Sequence, residues 1–69
     1  MEKIFLREEY IKLGQALKAA GFVSSGIEAK IVITEGEVKV NGETETQRGK
    51  KLREGDVVEF NGEQILICK

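Results

Sequence analysis

The sequence predicts a small α+β domain in the order short strand, helix, helix, hairpin, basic loop, hairpin. Two observations carry this. Between residues 12 and 36 apolar residues recur at helical spacing, with helix start and stop residues around them. After Gly36 the period falls to two, and two Asn-Gly pairs mark tight turns between alternating runs.

The elements follow in order. "EKIFLRE" is a short apolar-rich segment that reads as a strand. In "IKLGQALKAAGF", Leu13, Ala16, Leu17 and Ala20 fall at i, i+3, i+4 and i+7, which builds one apolar helix face. Lys18 falls on the opposite face, and Gly21 suits the stop. "SSGIEAKIVITEG" sets two signals against each other. "IVIT" is β-branched and prefers strand. Ser25 with Glu28 three residues on is a capping-box pattern, and Gly36 is a stop. Start and stop agree over about eleven residues, so the segment is expected to be helical. In "EVKVNGE" Val38 and Val40 share a face and Asn41-Gly42 turns the chain, with "ETETQ" as the return strand. "REGDVVEF" and "EQILICK", joined by Asn61-Gly62, read as a second hairpin.

With 69 residues the chain is expected to be one domain, residues 1–69, too small for a deep catalytic cleft. "MEKIFLREEY" mixes acids and bases with its apolar residues, so it does not read as a signal peptide, and no apolar run suits a membrane span. Cys68 is the sole cysteine and there is no histidine, a pattern that fits a reducing, cytoplasmic setting. Neither a Cys/His metal cluster nor a His-based triad can be built from one such chain. "GKKL" lacks the glycine spacing and the Ser/Thr of a phosphate loop. The expectation is therefore no enzyme, no metal and no cofactor.

Net charge is -1, but the charge is unevenly laid out. Residues 12–53 carry eight bases against five acids, and residues 54–69 carry one base against four. Arg48, Lys50, Lys51 and Arg53 lie within six residues that hold no acid. The plain reading of that run is a solvated loop that guards the sheet edges. The functional reading is a binding face: Gly49 admits a close partner, and Lys30 lies near the start of the second helix, whose amides can also receive a phosphate. Aromatic residues are few and fall mostly in apolar patterns, so backbone contacts to folded RNA suit this chain better than stacking on single strands.

Taken in order, Ser25, Glu28-Ala29-Lys30, Gly36, Val38-Lys39-Val40-Asn41-Gly42 and Gly55-Asp56-Val57-Val58 resemble the motif string of the S4 RNA-binding domain family. That string is an amphipathic helix, a Ser-led helix with Glu-Ala-Arg/Lys, a glycine, V-x-V-N-G, a loop and G-D-x-V/I. The resemblance covers about residues 11–60. "SSGIEAK" and "QRGKKL" are similar to the stand-alone bacterial members of the YaaA/YbcJ type. It implies an alpha-L RNA-binding motif: two packed helices against a small, mostly antiparallel sheet of about four to five strands. It also implies structured RNA bound along the helices and adjoining loops, with ribosomal RNA or the ribosome as a candidate. Lys12-Leu13-Gly14 stands where many members carry Arg-Leu-Asp, and Gly26 where many carry Arg; "RGKKL" is expected to compensate for these changes.

On this reading Lys12, Lys30, Arg48, Lys50 and Lys51 contact phosphates. Gln15, Ser24 and Ser25 hydrogen-bond backbone or 2′-hydroxyl groups, while Asn41 and Gly42 shape the hairpin. A protein-interaction adaptor and an accessory subunit of an RNA-modifying enzyme remain the alternatives.

Overall fold

Ser25 and two glycines fix the helices in the computed structural model, which describes all 69 residues. After strand β1 (Glu2–Phe5) and the short strand β2 (Ile11–Lys12), helix α1 runs over Leu13–Ala19. Gly21, at φ +78°, lets the chain leave it. Helix α2 (Gly26–Thr34) starts at Ser25, whose Oγ accepts the Glu28 N–H at 3.1 Å. It ends before Gly36, also at φ +78°. The capping box is modified from its expected form. The Glu28 carboxylate reaches past Ser25 and accepts from the Ser24 N–H (2.7 Å) and Oγ–H (2.9 Å). Both hydrogen bonds favour the charged form and hold the Glu28 carboxyl below its usual range, the backbone one most.

The remaining strands are β3 (Val38–Val40), β4 (Glu43–Thr44), β5 (Lys51–Leu52), β6 (Val57–Phe60) and β7 (Glu63–Cys68). Five of the seven form one sheet in the order β1-β7-β6-β3-β4. All its pairings are antiparallel except β1 with β7, which run parallel from Glu2↔Ile65 to Phe5↔Cys68. Both Asn-Gly turns adopt positive φ at both residues, as a tight hairpin with primed geometry demands.

Two strands start or stop differently from expectation. "ETETQ" forms a strand only at Glu43 and Thr44, with one further bond from the Glu45 N–H to the Val38 carbonyl (2.9 Å). "REGDVVEF" enters the sheet only at Val57, because Arg53 to Asp56 is a tight turn. There the Asp56 N–H donates to the Arg53 carbonyl (3.0 Å), Asp56 Oδ2 accepts the Arg53 N–H (2.8 Å), and Gly55 sits at φ +92°. Asp56 Oδ1 also accepts from Asn41 Nδ2 (3.0 Å), and Asn41 Oδ1 accepts the Val57 N–H (2.9 Å). The Asn of "VNG" and the Asp of "GD" thus clasp one another across the β3–β6 pair.

Two short strands were not foreseen: Ile11–Lys12, expected within the first helical stretch, is β2. Residues 51 and 52, expected as loop, form β5 and pair antiparallel with β2 as a separate two-stranded ribbon. Alternation then fixes the core. Both helices pack on one face of the sheet, with Leu13, Ala16, Leu17, Val23, Ala29 and Ile33 meeting Val38, Val40, Val58, Ile65 and Ile67. Leu52 brings the ribbon into the same cluster. Lys39, between two buried valines, is exposed. Neither helix is long and apolar enough to cross a membrane.

Candidate nucleic-acid interface

The ribbon decides where the basic run lies. Its strands pair Ile11 with Leu52 and Lys12 with Lys51, so the chain before α1 is held against the basic segment. The stitching continues past the ribbon. The Leu13 N–H donates to the Lys50 carbonyl (2.8 Å) and the Gly14 N–H to the Arg48 carbonyl (3.1 Å). Two otherwise orphaned amides of α1 are thereby satisfied by the basic loop itself. The loop in turn is shaped by a β-turn, in which the Lys50 N–H donates to the Gln47 carbonyl (3.1 Å).

Gly14 makes this approach possible. A Cβ there would come within 2.7 Å of Arg48 Cγ and 3.3 Å of Arg48 Cδ. The absent side chain lets the aliphatic stem of Arg48 lie across the first turn of α1.

A groove of about 360 Å³ results, lined by Lys12, Gly14, Gln15, Lys18, Gly26, Arg48 and Gly49. Three of its seven residues are cations, three are glycines, and none is acidic or apolar. The glycines leave backbone open to a close partner. Gln15 Oε1 accepts the Lys12 N–H at 3.3 Å, which leaves its Nε2 donors for a ligand. Lys12 also faces Lys51 across the ribbon, and like charges directly opposite each other repel.

The structure gathers some of the expected residues and separates others. Lys12, Gln15 and Arg48 share the groove. Lys18, expected on the face of α1 opposite the core but not among the contact residues, lines it too, because Gly14 and Lys18 are one helical turn apart on that face. That i, i+4 spacing was the available signal. Ser24 and Ser25 are not among the lining residues, although Gly26 next to them is, and their hydroxyls are engaged in capping α2. The Glu28 carboxylate at that cap occupies the end of the helix where a phosphate was expected.

The other three cations lie elsewhere. Lys30 is on the outer face of α2 with Ile27, Ile31, Thr34 and Glu35. Lys50 borders a hollow with Glu43, Glu45 and Asp56. Lys51 lies over the Tyr10 ring, its Nζ 4.9 Å from the centroid.

This fold agrees with what the chain resembles. The model of the S4 domain matches residues 4–68, and the chain belongs to that family. It is 49% identical over 59 residues to a protein of Bacillus subtilis (strain 168) named "Probable ribosome maturation protein RlbA", covering 86% of this chain and 83% of that one. It is 38% identical over 61 residues to YbcJ of Escherichia coli (strain K12), covering 88% and 87% of the two chains. The solution structure of E. coli YbcJ, described as an αL motif involved in RNA binding, superposes with a TM-score of 0.77 at 36% identity. That match covers all of this chain and 89% of the other. The two-helix, mostly antiparallel architecture is thus that of the αL motif.

Proposed function

We propose that this chain is a non-catalytic RNA-binding module that holds structured RNA by its phosphates in the groove between α1 and the basic loop. The observation that carries this is the groove's composition: Lys12, Lys18 and Arg48 around three glycines, with no carboxylate among the lining residues. A duplex backbone presents closely spaced charges at fixed geometry, and binding to it is driven by counterion release. A pre-stitched cluster of cations suits that ligand, since its members are already held together against their own repulsion. Gln15 adds neutral donors suited to a phosphate or a 2′-hydroxyl. The lack of histidine supports a role without turnover. The name of the B. subtilis relative, a ribosome maturation protein, supports ribosomal RNA as the target.

The test is a salt titration of affinity for a folded RNA. With about three phosphates neutralised, log K should fall with log salt at a slope of roughly -2 to -3. Lys12→Glu with Arg48→Glu should abolish most binding and flatten the slope. Lys3→Glu with Lys69→Glu changes net charge equally and should bind far better. Lys50→Glu, in already acidic surroundings, should lose less than either groove substitution. Equal losses in the groove pair and the terminal pair would mean that only overall charge matters.

One observation favours a second reading. Ile27 and Ile31 on the outer face of α2 are 74% and 51% exposed, which suits a protein partner. An adaptor working through that face would bind its partner without the salt slope.

A further inference from the structure

The phosphate groove has a neighbour of different chemistry. A hollow of about 450 Å³ opens beside it, walled largely by apolar residues, among them Phe5, Leu6, Tyr10 and Ile11. Gln15 lines both the hollow and the groove, so the two adjoin at that residue. Phe5 is 67% exposed, an aromatic ring on the edge strand that the core does not use. Tyr10 is held by the ribbon: Lys51 Nζ lies 4.9 Å and Arg53 Cζ 5.7 Å from its ring centroid. Tyr10 and Lys12 are two residues apart, and the β2–β5 register carried one step further sets Arg53 opposite Tyr10. A flat aromatic and the cations that can hold a backbone are thus offered side by side.

Resting on the reading of the groove as an RNA site, we propose that the hollow receives an unpaired base extruded from the RNA beside the phosphates in the groove. The base would stack on Tyr10 and Phe5, while Lys51 and Arg53 hold the phosphates flanking it. The hollow's composition selects a base over a further phosphate. Six of its nine lining residues are apolar, and its two charged residues, Arg7 and Glu8, offset one another. With no net charge the hollow lacks the cation excess of the groove, and the Glu8 carboxylate can accept a hydrogen bond from an exocyclic amino group. The Gln15 Nε2 donors lie where base, ribose and phosphate would meet. The module would then prefer duplex RNA interrupted by a bulged nucleotide over an uninterrupted duplex. A preference of this kind arises because a base already free of its partner costs least to extrude.

The experiment compares an RNA hairpin carrying one bulged adenosine with the same hairpin lacking it, at fixed low salt. A second preparation carries 2-aminopurine at the bulge. Tyr10 is the only tyrosine and there is no tryptophan, so intrinsic emission reports on that ring alone. Expected are tighter binding of the bulged RNA and coupled changes in 2-aminopurine and Tyr10 emission. Phe5→Ala and Tyr10→Leu should each reduce affinity for the bulged RNA roughly tenfold. Affinity for the uninterrupted hairpin and the salt slope should stay put. Phe5 is exposed, so that variant should fold as the parent does, which circular dichroism checks. Equal affinity of the parent chain for the two hairpins overturns the base site, as does a preference that survives both substitutions; the groove reading stands in either case. Binding to neither RNA removes the groove reading and this inference together. Binding of an apolar peptide that Phe5→Ala abolishes, with no effect of the bulge, assigns the hollow to a protein partner instead.

Discussion

Gly14 shows how one missing side chain can decide a surface. An alanine there gains about 1 kcal/mol of helix propensity. It also forces Arg48 to move, because its Cβ would lie 2.7 Å from Arg48 Cγ. Gly14→Ala should therefore leave thermal stability within about 1 kcal/mol of the parent while lowering RNA affinity several-fold. Unchanged affinity in a folded variant would show that the position of Arg48 does not matter to binding. The same residue explains a gap in what the sequence revealed. A glycine inside a helical pattern reads as a weakness of the helix, whereas here it is the site of a tertiary contact with a residue 34 positions away. Lys18 was placed on the right face but not counted as a contact residue, for a related reason. The apolar period correctly put it opposite the core, but the period cannot say that a loop and Gly26 wall in that outer face.

Among the elements, α2 depends most on its cap. Its apolar residues do not make one clean stripe: Ala29 and Ile33 are buried, but Ile27 and Ile31 face solvent. Tertiary packing alone therefore anchors it less well than it does α1. Ser25→Ala should cost about 0.5–2 kcal/mol in denaturant unfolding. The cap should also be sensitive to acid. The folded-state pKa of Glu28 lies below that of the unfolded chain, so its contribution is present above the ordinary carboxylate pKa. It is lost as pH falls through the lowered folded value. Glu28→Gln should therefore flatten the acid limb of a stability-versus-pH curve and change little at neutral pH in how stability varies with pH. The helices and both hairpins were legible because each carries local chemistry: a capping serine, left-handed glycines, Asn-Gly turns. The β2–β5 ribbon was not. Two-residue strands are too short for alternation to show, and they exist because 40 residues of intervening chain bring Ile11 and Leu52 together. The basic run was legible as charge, yet its sequence neighbours Arg48, Lys50 and Lys51 point to three different surroundings, since a turn and a strand redirect successive side chains.

At the scale of the whole molecule, one small core supports everything. A domain of this size rarely holds more than about 3–5 kcal/mol of net stability. Leu17 is fully buried between the helices and the sheet, and Leu17→Ala should cost about 2–5 kcal/mol. That variant is expected to be largely unfolded at 37 °C by circular dichroism. A cooperative transition shifted by only a few degrees would show a core better able to collapse than its packing indicates. The same smallness makes the β1–β7 pairing consequential in another way, as a mechanical element. Glu2 opens β1 and Cys68 closes β7, and because the strands are parallel these two residues lie at opposite ends of the pair. Force applied between them runs along the strands and loads all the rungs together, in shear. Force applied between residues 2 and 63 acts from one end of the pair and opens its rungs in succession. Single-molecule pulling should give a clearly higher rupture force in the first geometry. A protease that unfolds proteins by dragging them from one end would meet that resistance, so a domain of modest thermodynamic stability would still be slow to thread.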